Sequence, residues 1–324
     1  ASKKKVPGFY ATGADAGGLS RVRVFNPATD TEVYNFIAYP GFMGGVRVAV
    51  ADVNGDDVAD IITAPGSGGG PHIKVYNGVN LSLMYSFFAY APTFTGGVFV
   101  AAGDVNNDGY ADIITGPGQG GGPHVLVFSG KDLSVLYSFF AYAPTFGGGV
   151  RVAAGDVNDD GHYDIITGAG PGGGPHVRSF SGKDLSQLAS FFAYSPLFTG
   201  GVFVAAGDIN GDGRFDYITG PGMGGGPHVM IRSGANPNVV LASFMAFPPG
   251  NTPEPLIGNS VWQSGARVAA TDVNDDGVAD ILVSGAHGQP PRVRIFDGLS
   301  LAMIDDFFAY DPTFQGGVFV GGRV

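Results

Sequence analysis

The sequence has no cysteine among its 324 residues, and charged residues make up only 14% of it. The lack of cysteine excludes a disulfide-stapled scaffold, a thiol nucleophile and thiolate metal sites. The few charges are unbalanced, with 17 Lys and Arg against 28 Asp and Glu, a formal net charge of −11. Nucleic-acid-binding proteins are expected to carry a basic face. The composition therefore predicts no nucleic-acid partner.

Long hydrophobic runs are also missing. No stretch of about 18 apolar residues occurs, so we expect no membrane span. The basic start, Ala1-Ser2-Lys3-Lys4-Lys5, is not followed by an apolar segment, and we expect no signal peptide. The 56 glycines and 22 prolines suggest disorder, but 44% hydrophobic residues, with 25 Phe and 13 Tyr, favour a packed core.

An acidic nine-residue segment occurs five times. It reads DVNGDDVAD from Asp52, and similar copies begin at Asp104, Asp156, Asp208 and Asp272, spaced by 52, 52, 52 and 64 residues. Around each copy the order is the same: a GGVFVAA-like segment, the acidic segment, DIITGPG, a glycine-rich turn, PHVxVF and YSFFAY. The repeat thus covers most of the chain and determines its architecture.

Each repeat contains four short segments rich in β-branched and aromatic residues, separated by turn signals about every 10 residues. Tandem four-stranded units predict an all-β protein, a six-bladed β-propeller of four-stranded blades. The C-terminal segment at residues 317–320 matches a first strand, and Phe9–Gly13, Arg21–Phe25 and Val33–Tyr39 match the other three. We therefore expect N- and C-terminal strands to share one blade that closes the ring, in a single domain spanning residues 1–324.

The acidic segments predict calcium sites. In the second copy, oxygen-bearing side chains stand at positions 1, 3, 5 and 9, glycine at position 6 permits a sharp turn, and Tyr110 at position 7 offers its carbonyl. Ca²⁺ takes six to eight such oxygens. About five ions are expected, and the predicted ligands are Asp52, Asn54, Asp56, Asp60; Asp104, Asn106, Asp108, Asp112; Asp156, Asn158, Asp160, Asp164; Asp208, Asn210, Asp212, Asp216; and Asp272, Asn274, Asp276, Asp280.

Two alternatives to this interpretation were weighed. An EF-hand needs Glu at position 12, where the second copy has Thr115, and it needs helical flanks. The same residues also form ordinary β-turns, but five copies at identical offsets favour metal binding. The first segment differs from the others because it has Asp57 in place of glycine, which predicts weaker binding or a distorted turn.

The D-x-[DN]-x-[DN]-G-x-x-D segment between two strands resembles the FG-GAP (VCBS) repeat of integrin α-subunit propellers and bacterial surface proteins. Gly116–Phe128 is similar to that family's GAP segment and the strand that follows it. The resemblance covers nearly the whole chain, although integrins have seven blades. It implies a calcium-stabilised extracellular or cell-surface module, of the kind that forms one part of a larger surface protein, and leaves the ligand open.

Repeated aromatic and histidine residues are candidates for ligand contact. His72, His124, His176 and His228 follow Gly-Pro at the same register; because they lie on separate blades, we expect a structural role. The Phe pairs such as Phe139-Phe140 are expected to pack between blades. The face opposite the acidic segments carries the candidate ligand residues Tyr90, Phe94, Tyr142 and Phe146, together with Trp262 in a 12-residue expansion around Pro248–Ser264.

No catalytic motif was found: the sequence has no G-x-S-x-G, no H-E-x-x-H and no Walker loop. The function predicted is a non-enzymatic extracellular interaction, adhesion or structural module with a protein or glycan ligand. A carbohydrate-binding lectin is the first alternative. A polysaccharide- or phosphoester-cleaving propeller is the second.

Overall fold

All regular structure in the protein is β-strand within the residues that the computed structural model describes, 9–29, 31–247 and 263–323. Twenty-four strands in these ranges form six antiparallel sheets of four. No helix in the described ranges is long and apolar enough to cross a membrane. The predicted six-bladed propeller is confirmed.

The chain begins and ends in the same sheet. Strands β1 (Tyr10–Ala14), β2 (Arg21–Asn26) and β3 (Thr31–Ile37) are joined by the last strand, β24 (Val318–Gly322), in the order β24-β1-β2-β3. β1 and β24 pair in antiparallel register from Tyr10 opposite Gly322 to Ala14 opposite Val318. This sheet is the closing blade, and it confirms the shared blade expected from the sequence.

The other five blades follow in chain order. Blade 1 is β4 (Val46–Ala51), β5 (Asp60–Pro65), β6 (His72–Tyr76) and β7 (Leu83–Phe88). Blade 2 is β8 (Val98–Gly103), β9 (Asp112–Pro117), β10 (His124–Phe128) and β11 (Val135–Phe140). Blade 3 is β12 (Val150–Gly155), β13 (Asp164–Ala169), β14 (His176–Phe180) and β15 (Gln187–Phe192).

Blade 4 is β16 (Val202–Gly207), β17 (Asp216–Pro221), β18 (His228–Arg232) and β19 (Val240–Met245). Blade 5 is β20 (Ala266–Thr271), β21 (Asp280–Gly285), β22 (Arg292–Phe296) and β23 (Met303–Phe308). The first strands β4, β8, β12, β16, β20 and β24 each contact the next, and β24 contacts β4, so the ring is closed.

The core lies between neighbouring blades. In the second strand of each blade, side chains on both faces are buried, as with the fully buried Ile113 and Ile114 of β9. In the closing blade and in blades 2–4, glycine at one position of this strand lets the next blade approach: a Cβ on Gly116 would lie 2.5 Å from the carbonyl oxygen of Val150 in β12. Blade packing is therefore close and involves the main chain.

The two ends of the ring differ in composition. The acidic segments join the first and second strands of blades 1–5 at one end, which we name the acidic-loop face. The glycine-rich turns join the second and third strands at the opposite end, the glycine-turn face, beside the connections between blades. Between them runs a narrow central channel of about 80 Å³, lined by valine, alanine and glycine of the six first strands.

The Phe pairs of the fourth strands behave differently from the prediction. Phe139 packs edge-on against Phe180 of the next blade, with ring centroids 4.9 Å apart. Phe140 instead is 50% exposed and stacks on His124. Because the fourth strand is the outer edge of its blade, only one face of its alternating side chains meets a neighbour. The expectation that both rings pack between blades was wrong.

Candidate functional site

The five acidic loops share one hydrogen-bonded geometry. In blade 2, the two carboxylate oxygens of Asp104 accept the main-chain N–H groups of Asp108 (2.9 Å) and Gly109 (2.8 Å). Asn106 Oδ1 accepts the same N–H of Asp108 at 3.1 Å, and Asp108 Oδ1 accepts the N–H of Tyr110 at 3.1 Å. These contacts wind the loop so that positions 1, 3 and 5 bring their oxygens to its inside.

The aspartate at position 9 anchors each loop to its blade. Asp112 is fully buried, and its Oδ2 accepts the N–H of Val105 at 2.9 Å while Oδ1 accepts that of Gly130, after β10, at 3.1 Å. The same pair of contacts recurs in the other four loops, and all five carboxylates are fully buried: Asp60, Asp112, Asp164, Asp216 and Asp280. A buried charge of this kind needs compensation.

Left-handed backbone occurs twice in every loop. At position 6, Gly109 has φ +89°, and Asp57, which replaces glycine in the first loop, has φ +67°. Position 4 is also left-handed, for example in Asn107 and Asp159. Asp57 therefore follows the same turn as its glycine counterparts, at the energetic cost of a Cβ in that region. The turn of the first loop is therefore of the same type as the turns of the other four loops.

Neighbouring loops are linked across the blade boundaries. The N–H of Ala111 in the second loop donates to the carbonyl oxygen of Asp52 in the first at 2.8 Å. Equivalent bonds join the remaining loops in series, from Tyr163 to Asp104, from Phe215 to Asp156 and from Ala279 to Asp208. Whatever orders one loop therefore also supports the interface with the next blade.

The carboxylates within a loop are close enough to repel one another. Burial raises the pKa of Asp112 to about 6, the main-chain N–H donors oppose this, and the charge of Asp104 adds to it. The pKa of Asp164 rises to about 7, again through burial, with Asp156 and Asp160 contributing. Bound cations would offset this repulsion.

The donor set of each loop is mixed. Across the described ranges, no group of three or more His, Cys, Asp or Glu side chains is placed to hold a metal ion by itself. A cation in these loops would therefore also need the asparagine oxygen at position 3 and the main-chain carbonyl at position 7. Such all-oxygen sets suit Ca²⁺ rather than a transition metal.

The four repeated histidines bond within their own blades. His124 Nε2 lies 2.9 Å from Ser138 Oγ on the adjacent strand β11, and the other three make the same contact with Ser86, Ser190 and Ser243. Burial lowers the pKa of His124. The structural role expected of the histidines fits these contacts with serines of the adjacent strand.

The candidate ligand residues of the glycine-turn face are half-buried. The hydroxyl of Tyr142 donates to the carbonyl oxygens of Thr167 (3.0 Å) and His176 (2.7 Å) in the next blade, and Tyr90 does the same one blade earlier. Phe94 and Phe146 lie edge-on to these tyrosines. The hydroxyls of Tyr90 and Tyr142 are thus bonded to the main chain of the next blade and join neighbouring blades. Trp262, with most of the 12-residue expansion, lies outside the described residues.

The glycine-turn face also carries exposed apolar side chains. Leu197, between blades 3 and 4, is 90% exposed, and Met223 in the glycine-rich turn of blade 4 is 70% exposed. Both residues belong to connections at this face, since Gly200, in the same connection as Leu197, approaches the carbonyl oxygen of Met223. Large apolar groups exposed on one face are candidates for a contact surface.

One set of residues was missed in the sequence. The second residue of the innermost strand alternates around the ring between arginine (Arg47, Arg151, Arg267) and phenylalanine (Phe99, Phe203, Phe319). The alternation is visible in the sequence as VRV or ARV alternating with VFV, with a period of two repeats. A comparison that considers only the residues common to all repeats does not detect this alternation.

Comparison with known proteins agrees with this architecture. A family model described as "FG-GAP repeat" matches residues 96–126 and 148–183. Integrin alpha-V of Gallus gallus is 29% identical over 218 residues, a match that covers 59% of this chain and 20% of the integrin. The chain thus corresponds to about a fifth of that relative's length.

Solved structures share the fold at low identity. A protein of unknown function from Bacteroides caccae is 11% identical with a TM-score of 0.57, and the match covers 98% of this chain and 99% of that one. A chain of a nidogen/laminin complex is 13% identical with a TM-score of 0.57 and 98% coverage of both chains. At these identities the likeness concerns the fold alone.

Proposed function

Because the chain is a β-propeller of the FG-GAP repeat family, distantly similar to integrin alpha-V, we propose that it is a calcium-stabilised binding module without catalytic activity. In this proposal the acidic-loop face binds about five Ca²⁺ ions, the glycine-turn face binds a protein ligand, and the module works outside the cell or on its surface, as one part of a larger protein.

The observation that carries the proposal is the fivefold repetition of one loop geometry with a fully buried aspartate. Each loop holds three carboxylates at the predicted ligand positions. Five Ca²⁺ would add ten positive charges and change the formal charge from −11 to about −1. Because the loops are bonded in series across blade boundaries, ions bound there would stiffen the ring. Near-identical blades suit a scaffold better than an asymmetric active site.

The exposure of Leu197 and of Met223 supports the glycine-turn face as the contact surface. The test is binding of the calcium-loaded protein to a panel of purified cell-surface and matrix proteins, with the variant Leu197→Asp. The matched control is Leu299→Asp, because Leu299 is 62% exposed in a turn on the acidic-loop face. We expect Leu197→Asp to weaken binding and the control to leave it unchanged. Equal effects of both variants, or no binding to any protein on the panel, would count against this function.

A carbohydrate ligand is the second candidate, favoured by one specific observation. Phe88, Phe140 and Phe192 are 44–52% exposed and stack on His72, His124 and His176, which presents a repeated aromatic surface at the blade edges. Sugar rings stack on such surfaces. On a glycan array, Phe140→Ala should reduce the signal whereas Val135→Ala, at a 55% exposed position of the same strand, should not. Absence of any glycan signal removes this candidate.

A further inference from the structure

Three arginines and three phenylalanines alternate around the axis at the glycine-turn end of the channel. Each lies at the second position of its strand, directly after the turn that enters the blade. The guanidinium carbon of Arg47 lies 3.7 Å from the ring centroid of Phe99, that of Arg151 lies 4.2 Å from Phe203, and that of Arg267 lies 3.5 Å from Phe319. Six residues from six blades thus form one Arg/Phe ring.

The arginines are buried more deeply than the phenylalanines. The exposed fractions of Arg47, Arg151 and Arg267 are 9%, 7% and 6%, whereas the three phenylalanines of the ring are half-buried. Stacking on a phenyl face leaves the N–H groups of a guanidinium directed sideways, in its own plane. These in-plane donors, and not the stacked faces, decide what else the ring can bind.

Several of those donors have no acceptor in the described part of the chain. The buried atoms without a hydrogen-bond partner include Nε and Nη1 of Arg47, Nε of Arg151, and Nε and Nη1 of Arg267. Arg151 does donate through Nη1 to the carbonyl oxygen of Ala169 at 2.9 Å, and Arg267 donates to Asp15 through Nη2. A buried charged donor left unpaired is costly.

The charges of the ring are not balanced. Three guanidiniums face one paired carboxylate, Asp15, which leaves a formal charge of +2 among the described residues. Cation–π stacking compensates part of the lost hydration. Burial still lowers the pKa of Arg47 to about 9, with Arg267 and Arg151 lowering it and Asp15 raising it, so the group remains charged at neutral pH.

The channel behind the ring supplies no counter-charge. It is lined by side chains of valine and alanine and by glycine, from Val48, Ala49 and Val50 of β4 round to Gly322 of β24. A counter-ion for the ring would therefore come from the solvent at the glycine-turn face. Each phenyl ring lies within 5.8 Å of two guanidinium carbons, so the three guanidiniums share one cluster around the axis. Forked guanidinium donors suit the oxygens of a tetrahedral anion, and a divalent anion matches the charge.

We propose that the Arg/Phe ring is a binding site for a tetrahedral oxyanion, sulfate or phosphate, either as the free ion or as an ester group on a larger ligand. The site lies on the axis at the glycine-turn face, and Arg47, Arg151 and Arg267 donate to the anion. It is independent of calcium binding, because the acidic loops lie at the other end of the same strands.

The test uses the calcium-loaded protein and titrates it with sodium sulfate or sodium phosphate by isothermal calorimetry, with sodium chloride at matched ionic strength as reference. We expect saturable binding of one oxyanion per chain. The variant Arg47→Met should weaken it by about tenfold or more, the value for one charged hydrogen bond. Arg178→Met is the matched control, because Arg178 also lies over a phenyl ring and donates to a main-chain carbonyl, away from the axis.

Thermal stability gives a second readout that a purely structural arginine would not produce. In chloride, Arg47→Met should melt at the same temperature as the wild type or higher, because it removes a buried charge with unpaired donors. In sulfate, Arg47→Met should melt at a lower temperature than the wild type. If Arg47→Met does not fold, Arg47→Lys keeps the charge without the planar fork and should also bind sulfate more weakly.

Two results would overturn the proposal: no saturable binding of sulfate or phosphate to the wild type, or binding that Arg47→Met and Arg178→Met weaken equally. The source of the anion is decided by titrating glucose 6-sulfate and glucose 6-phosphate in parallel. Tighter binding of an ester than of its inorganic ion supports an ester group on a larger ligand. Tighter binding of the inorganic ion supports the free anion. Failure of these titrations leaves calcium and protein binding untouched.

Discussion

The close approach of neighbouring blades can be tested at Gly116. A Cβ at this position would lie 2.5 Å from the carbonyl oxygen of Val150 and 3.0 Å from Val150 Cγ1, in the next blade. Ordinary contacts of a Cβ begin at about 3.4 Å. The variant Gly116→Ala therefore forces blades 2 and 3 apart by several tenths of an ångström, where the second strand of blade 2 meets the first strand of blade 3.

The expected cost follows from two opposing terms. Overpacking of a close-packed interface costs about 1–3 kcal/mol, whereas replacing glycine by alanine gains about 0.5–1 kcal/mol by restricting the unfolded chain. We expect a net loss of about 1 kcal/mol. With an unfolding entropy of about 2.1 cal/mol/K per residue, this lowers the melting temperature of the 324-residue chain by about 1–2 °C.

The matched control is Gly147→Ala, because a Cβ on Gly147 meets nothing within 4 Å and its backbone is not left-handed. It should be neutral or slightly stabilising. Both variants are unfolded with urea and by heat in calcium. A converse variant is Ala64→Gly. Ala64 occupies the equivalent position in blade 1 and already carries a Cβ there, so the change should not raise the stability of the protein. If Gly116→Ala is as stable as Gly147→Ala, the described contact between blades is wrong.

Two further predictions concern single side chains. Tyr142→Phe removes the hydroxyl that bonds Thr167 and His176 in the next blade. In thermal melts it should lower stability by about 1–2 kcal/mol, and the protein ligand should still bind. Loss of ligand binding at unchanged stability would instead identify Tyr142 as a ligand-contact residue. Asp57→Gly relieves a left-handed aspartate (φ +67°) and should raise stability by about 1 kcal/mol, whereas a decrease would mean that the Asp57 carboxylate makes a contact that outweighs its backbone strain.

The repeat made the fold predictable. Because five copies keep the same order of strands and turns, a count of their spacing was enough to predict six blades and the pairing of β1 with β24. The turn of the first acidic loop was the harder case: Asp57 stands where glycine is expected, yet it takes the same conformation, since aspartate tolerates the left-handed region better than most residues.

The outer strands show where the sequence is insufficient. Whether Phe140 or Phe139 is buried, and which residue bonds His124, depends on the register of β10 against β11. That register contains a shift between Val127 and Phe128, which no local pattern indicates. The partners across blades, such as Tyr142 with Thr167, depend on the closed ring and could not be read from one repeat.

The Arg/Phe ring was missed for a different reason. Arg47 and Phe99 occupy the same position in consecutive repeats, so a search for shared residues treats them as variation. Only the closed ring brings the alternating arginines and phenylalanines of all six blades together around one axis. The predicted ligand residues of each acidic loop, by contrast, are the same in every copy, so the repetition itself made them apparent.

The measurement that tests the central claim most directly is a thermal melt of the protein in millimolar calcium and in excess EGTA, with the bound metal counted by elemental analysis. We predict about five Ca²⁺ per chain, a clear fall in melting temperature on chelation, and one ion fewer in Asp104→Asn, with no ion lost in Asp132→Asn, which removes an exposed carboxylate outside the loops. A protein that binds no calcium and melts at the same temperature in both solutions would contradict the account.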